Sequence, residues 1–251
     1  RHSCNTNDFP VFTSRGCPYA CTYCAAPAFW DHSYRIRSAS SVVKEIELLV
    51  KNHQPTEIVI ADDLWIAHKQ RFHAIANELI EKKITEKTTF RGFVRSNIVH
   101  EEDMELLKKM NYRVIRFGAE TGSNRLLKQI KGNSASVSHH QRLIDLAYKY
   151  GLPCSGSFMF GIPGESVDDI LKTLKFLDKN RKKLSISGLY FYNPIPGTEL
   201  YNRILAETGI ASDFFCEDMY LDMLHPKFEI KETHYFNEKK VPLNTLIRYV
   251  H

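Results

Sequence analysis

The sequence predicts an α/β fold, a partial TIM-type (β/α)6 barrel with parallel strands and a C-terminal cap. Three observations carry this expectation. Short β-branched or aromatic runs alternate with amphipathic stretches of about ten to fifteen residues, the rhythm of parallel βα units. Six such units follow one another along the chain. Almost every strand then runs into a small or polar cluster: "SRGCPYAC", "ADD", "GAETG", "GIPGE" or "NPIPGT". Barrels collect their chemistry on the rim where the strands end, from several strands at once. An open doubly wound sheet would gather such clusters at its switch point instead.

The strands are expected near Val11–Ser14, Glu57–Ala61, Thr88–Val94, Arg113–Gly118, Cys154–Phe160 and Ser185–Tyr192. Ser40 or Ser41 caps a first helix whose apolar stripe is Val42, Val43, Ile46, Leu49 and Val50, with charged residues on the opposite face. Glu101–Met110 follows the same rule, with Met104 and Leu107 turned inward. Ser138–Tyr150 ends at Gly151, a residue suited to the left-handed cap. Ser166 caps Val167–Leu177, and Thr198–Leu205 follows the last strand. After Ala211 the alternation fades into aromatic, mixed-charge sequence. The expected organisation is therefore a core over 1–210, with 211–251 as a cap of the same domain.

At 251 residues, 43% hydrophobic and 25% charged, the composition suits one globular domain. No apolar run approaches the roughly eighteen residues of a membrane span. The 34 Lys and Arg against 29 Asp and Glu leave a net +5, dispersed along the chain, so solvated helix faces explain it better than a nucleic-acid groove. No secretory apolar segment precedes the first cysteine, although the chain starts at Arg1 rather than Met, and a longer parent fits that start. Cys4, Cys154 and Cys216 are far apart in sequence, which favours reduced thiols and a cytoplasmic setting.

The densest chemistry lies in "TSRGCPYACTYCAAPAFW", with Cys17, Cys21 and Cys24 spaced C-x3-C-x2-C. A disulfide uses two cysteines and a structural zinc site four. Thiolates suit both zinc and iron–sulfur clusters. Three cysteines hold three irons of a cubane and leave the fourth open, and open coordination positions mark catalytic metal centres. Gly16 permits a tight loop, Pro18 stiffens its entry, and Ala20, Thr22 and Ala25 leave backbone amides room to face sulfur. A zinc site that borrows Cys4, His2 or His32 as its fourth ligand is the competing reading.

The loop "CPYACTYC" resembles the signature of the radical S-adenosylmethionine (SAM) superfamily, in which an aromatic residue, here Tyr23, precedes the last cysteine. That resemblance implies a partial (β/α)6 barrel with this loop after the first strand. It also implies a 4Fe-4S cluster on Cys17, Cys21 and Cys24, whose open iron takes the amino and carboxylate groups of SAM. Tyr23 is counted with the cofactor-binding residues. "IVIADDLW" takes the place of the stretch that holds the SAM ammonium, so Asp62 or Asp63 is the acceptor; helix capping is the other use for Asp63. In "IRFGAETG", Glu120 matches the carboxylate that contacts the ribose or ammonium, with a salt bridge to Arg95 or Arg116 as its alternative. Arg95 is a candidate for the SAM carboxylate. In "SFMFGIPGE", Ser157, Met159 and Gly161 match the adenine-packing strand in part, and Met159 could equally be core. In the last strand either Phe191 or Tyr190 edges the adenine, depending on strand parity.

The segments "TSRGCP", Arg35-x-Arg37, "ADD", "GIPGE" and "PGTELY" resemble the cobalamin-associated class, many of whose members are methyltransferases. In that class a cobalamin-binding domain precedes the barrel; this chain contains none. Methylthiotransferase relatives are the runner-up, and a non-catalytic zinc-binding module is the reading from another class. The resemblance further implies an electron donor such as a flavodoxin or ferredoxin, and a substrate, expected to be a small molecule, that meets the loop bearing Trp30, His32 and Tyr34.

Overall fold

The computed structural model describes residues 8–208. The expected cap over 211–251, and with it Cys4 and Cys216, lies outside the described residues. In chain order the elements are β1 (Asp8–Val11), β2 (Ser14–Arg15), α1 (Ala26–Phe29), β3 (Arg35–Ile36), α2 (Ala39–His53), β4 (Glu57–Ile60) and α3 (Lys69–Glu81). A 3-10 turn (Ile84–Glu86) leads to β5 (Thr89–Val94), α4 (Glu101–Lys109), β6 (Tyr112–Glu120), α5 (Asn124–Lys131) and α6 (Val137–Tyr150). The chain continues with β7 (Cys154–Phe160), α7 (Val167–Asn180), β8 (Ser185–Phe191) and α8 (Glu199–Thr208).

Six strands form one parallel sheet in the order β1-β4-β5-β6-β7-β8. Spatial order equals chain order, so the sheet winds in one direction and has no switch point. β1 and β8 are its two ends among the described residues, which makes it an open, partial barrel. Alternate strand residues Val11, Ile58, Ile60, Phe90, Ile115, Phe117, Phe158 and Phe160 pack under the helices in one apolar core. The other face carries charge near the strand starts. Glu57 takes Arg91 at 2.5 Å and Arg113 at 2.6 Å, and Arg91 also reaches Asp8 at 3.5 Å.

Helix starts follow local hydrogen bonding. The α2 cap is Ser38, whose hydroxyl accepts the Ser41 N–H at 3.3 Å. The helix thus begins ahead of the expected Ser40 or Ser41, which fall inside its first turn. Ser136 caps α6, which begins one residue ahead of the expected Ser138, and Gly151 ends that helix in the left-handed conformation at φ +70°. Ser166 caps α7 in a reciprocal box with Asp169. Three helices lie outside the sequence expectations, of which α1 is a single turn of 4 residues. α3 is capped by His68, whose Nδ1 accepts the Arg71 N–H, and histidine is a weak capping signal. α5 is only 8 residues long.

Two short features shape the rim. β2 and β3 pair antiparallel, Ser14 with Ile36 and Arg15 with Arg35, and so pin together both ends of the cysteine loop. A second apolar cluster joins Leu126 and Ile130 of α5 to Met159, Ile162, Tyr192 and Leu200, with Tyr23 packed against it. Among the described residues no helix is long and apolar enough to cross a membrane.

Candidate functional site at the barrel rim

The cysteine loop is held from four directions. At its start Gly16 has φ +86°, and a Cβ there would lie 2.0 Å from the Ser33 carbonyl oxygen. Only glycine fits that turn. The Gly16 N–H donates to Asp63 Oδ2 at 3.0 Å, from the end of β4. The Thr22 N–H donates to the Ile130 carbonyl at 2.9 Å, and the Thr22 carbonyl accepts the Leu200 N–H at 2.8 Å. These contacts occupy free backbone groups at the end of α5 and the start of α8. From the turn after β5, Asn97 donates to the Tyr19 hydroxyl at 3.3 Å.

Cys17, Cys21 and Cys24 are half-buried free thiols. Burial pushes the thiols of Cys17 and Cys24 up, and the neighbouring cysteines push them further. The carboxylates of Asp63 and Glu120 act on Cys24 in the same direction. Each sulfur also meets an N–H donor: the Tyr19 amide at Cys17, the Ala26 amide at Cys24, and Arg95 Nη1 at Cys21, 3.0 Å away. Three soft ligands with aimed donors are the set that an anionic iron–sulfur cluster requires. Among the described residues no three His, Cys, Asp or Glu side chains converge on one point. A single tetrahedral ion needs that convergence; a cubane, with each sulfur on a different iron, does not.

The two adjacent aspartates divide their work. Asp62 is buried and accepts from the N–H and hydroxyl groups of both Thr13 and Ser14 at 2.5 to 3.0 Å. Arg71 lies 3.9 Å from it and donates to the Thr13 carbonyl. Its oxygens are thus committed to holding the end of β1. Asp63 is exposed and spends one oxygen on Gly16. It caps no helix, since α3 starts at Lys69 behind His68.

Glu120 sits in the left-handed region at φ +62°. Its Oε1 accepts from Tyr23 at 2.8 Å and pairs with Lys131 at 3.0 Å. Lys131, rather than Arg95 or Arg116, is therefore its salt-bridge partner, and its ammonium also donates to the Gly118 carbonyl. A Cβ at Gly118 would fall 2.1 Å from Glu120 Oε1 and push that carboxylate out of its present position. Burial and then the Glu120 charge raise the Tyr23 phenol well above its usual value, so Tyr23 is a neutral donor.

Arg95, the candidate for the SAM carboxylate, lies against the cysteine loop. Its four hydrogen bonds go to Asn97, Cys21, the Lys131 carbonyl and Ser134. On β7, Ser157 pairs with Gly118 on one side and Gly188 on the other. Met159 packs in the second apolar cluster beside Tyr23. Gly161, at φ +71°, donates its N–H to Glu165 at 2.6 Å. Met159 is in register with Tyr190, and Phe160 with Phe191. Neighbours in register share a face, so Tyr190 stands on the Met159 side, while Phe191 packs against the helix-side core. The candidate Phe191 is corrected to Tyr190 on this ground.

Tyr19, Asn97 and Lys131 escaped sequence reasoning. Tyr19 alone carried a signal, being an aromatic residue inside the cysteine motif. A cavity of about 290 Å³ borders the loop, lined by Cys21, Cys24, Ala28, His32, Thr198 and Asn202 among others.

Known proteins resemble this chain in sequence and in fold. The chain is 30% identical over 198 residues to an uncharacterized methyltransferase of Pyrococcus horikoshii, covering 78% of this chain and 42% of the relative. It is 29% identical over 203 residues to a putative methylthiotransferase of Methanocaldococcus jannaschii, covering 78% and 44%. The fold resembles the radical SAM methyltransferase TsrM of Kitasatospora setae, solved with cobalamin and a [4Fe-4S] cluster bound. There the TM-score is 0.72 at 18% identity, over 79% of this chain and 37% of that one. The chain thus spans less than half the length of each of these three proteins. The radical SAM superfamily model matches residues 11–177, more than half of the sequence, and the chain belongs to that superfamily.

Proposed function

We propose that this chain is the catalytic barrel of a radical SAM enzyme of the cobalamin-associated class, acting as a methyltransferase. Members of the superfamily use a 4Fe-4S cluster and SAM, and together these supply a 5′-deoxyadenosyl radical or an activated methyl group. Cys17, Cys21 and Cys24 hold the cluster. Asp63 accepts the SAM ammonium, because it is the exposed member of its pair. Glu120, steadied by Tyr23 and Lys131, receives the ribose hydroxyls or the ammonium. Ser157 and Gly161 leave room for the adenine, which Met159 and Tyr190 flank. The substrate is a small molecule, reduction comes from a flavodoxin or ferredoxin, and cobalamin is bound by a part of the protein other than this barrel.

One observation carries the reading: three half-buried thiols on one rim loop, each met by an N–H donor, with Asp63 and Glu120 hydrogen-bonded to that same loop at Gly16 and Tyr23. Anaerobic reconstitution tests it. We expect a brown protein with about four irons per chain that, when reduced, cleaves SAM to methionine and 5′-deoxyadenosine or, with reduced cobalamin, passes the SAM methyl group to it and releases S-adenosylhomocysteine. A colourless protein with one zinc would establish the binding-module reading instead. The methylthiotransferase relative supports a second reading, in which sulfur is transferred along with the methyl group; mass spectrometry of the product separates the two.

A further inference from the structure

The Arg95 guanidinium is buried at the cluster loop, with Nη1 3.0 Å from Cys21 Sγ. Nε donates to Asn97 Oδ1 at 3.0 Å; Nη2 donates to the Lys131 carbonyl and the Ser134 hydroxyl, each at 3.1 Å. The Tyr19 ring lies 4.1 Å below the guanidinium carbon, and the Tyr19 hydroxyl accepts from Asn97. None of the four acceptors is a carboxylate. A fixed positive charge buried without an anion is costly, and the sulfur is the one acceptor here that turns anionic when it ligates metal.

We propose that Arg95 is a positioning residue that sets the reduction potential of the cluster through the Cys21 sulfur. The inference rests on the cluster reading above and deepens it. Hydrogen bonds to ligand sulfurs and nearby positive charge are among the levers that tune iron–sulfur potentials. On reduction the cluster gains one electron and its sulfurs become more negative. A guanidinium at one of them therefore stabilises the reduced form more than the oxidised form and raises the potential. Three anchors and a stacked ring fix its direction, so the group need not reorient on electron transfer. Arginine suits this role better than lysine, because its planar fork serves the sulfur and the three anchors together.

The test is a redox titration of the reconstituted wild type, Arg95→Gln and Arg95→Lys, followed by electron paramagnetic resonance at matched iron and sulfide content. At the wild-type midpoint, Arg95→Gln is expected to lower the ratio of reduced to oxidised cluster about tenfold, about 59 mV for one electron. Arg95→Lys should fall between. Matched clusters with an unchanged midpoint would reduce Arg95 to a mechanical clamp and overturn the proposal. The wild type offers a measurement that survives failure of the variants. Chain labelled with nitrogen-15 in the arginine guanidino groups should show nitrogen coupling to the reduced cluster in pulsed spectra, and no coupling would overturn the proposal. A wild type without a four-iron cluster would sink the cluster reading itself, whereas a normal cluster indifferent to Arg95 sinks this inference alone.

Discussion

On the helix side of the sheet, Val11, Ile60, Phe90, Phe117 and Phe158 are at most 2% exposed and belong to one apolar core. At the rim, a few ångströms further along the same strands, the chain is held by Asp62, Asp63, Arg95, Glu120 and Lys131 through directed polar contacts. Apolar packing is non-directional and accepts any shape of suitable volume. Polar contacts fix angle and distance, and each loses most of its value when a partner moves. The first face makes the protein fold. The second sets three sulfurs and two carboxylates along one stretch of the rim, and substitutions on the two faces should fail in different ways.

The largest effect is expected at the loop. Cys24→Ala removes one of three ligands, so anaerobic reconstitution should yield little intact cluster and no measurable SAM turnover. The apo chain should unfold within about 1 kcal/mol of wild type, because the side chain is half-buried and bonded to nothing essential to the core. Iron analysis and urea denaturation of the same preparation measure both halves of that contrast. A variant that retains full cluster would show that the loop is not the ligand set.

Phe117→Ala should show the reverse. The ring is fully buried and packs 5.4 Å from His140, and truncating such a residue costs about 3–5 kcal/mol. The surviving folded fraction should bind cluster and SAM normally. A drop in stability below about 1 kcal/mol would mean that the helix-side core is looser than its burial implies.

What could be read from sequence divides along the same line. Five of the six strands and the spacing of Cys17, Cys21 and Cys24 were legible because their signals are local, β-branched runs and three cysteines within eight residues; the first strand lies at Asp8–Val11 rather than Val11–Ser14. Other site features depend on which strand faces which. Asp62 and Asp63 are equivalent in sequence, and only the pairing of β4 with β1 turns one of them onto Thr13 and Ser14. Tyr190 and Phe191 could not be told apart because the register shifts between Gly156 and Ser157, and an extra residue breaks the count of alternating faces. Lys131 reaches Glu120 only because α5 folds back, and that short helix carries no strong start signal. The α2 cap was misplaced for a smaller reason: Ser38, Ser40 and Ser41 are all suitable, and hydrogen bonding selects the first.

The aspartate pair sharpens the comparison within a single dipeptide. Asp62→Asn removes the charge from a buried carboxylate with four hydrogen bonds, so thermal or urea unfolding should reveal a loss of about 2–3 kcal/mol. Asp63→Asn keeps an acceptor for Gly16 but loses the exposed charge. Stability should change by less than about 0.5 kcal/mol, while SAM affinity of the reconstituted protein, measured by equilibrium binding, falls about tenfold, the size of one charge-assisted contact. If the two variants exchange these phenotypes, Asp62 rather than Asp63 faces the cofactor.

The smallest effect has a pH signature. Glu165, in the turn after β7, is pushed up to about 7 chiefly by burial, with the Gly161 N–H working against that shift. Its Oε2 accepts from Gly161, and its Oε1 is buried with no partner. In the unfolded chain such a carboxyl titrates near about 4.3, so between the two values the folded state binds more protons. Linkage then makes this contribution whole below the unfolded value and erodes it as pH rises through about 7. The shift sets an upper bound of about 4 kcal/mol. Glu165→Gln keeps the shape and the acceptor but cannot ionise. The variant and wild type should therefore differ by less than about 0.5 kcal/mol at pH about 4, with the variant gaining about 1–3 kcal/mol by pH about 8. Urea denaturation of both proteins at the two pH values isolates the difference, since every other group titrates alike in the pair. A difference that stays flat with pH would mean that Glu165 is ionised throughout, and that the turn after β7 is wetter than its packing suggests.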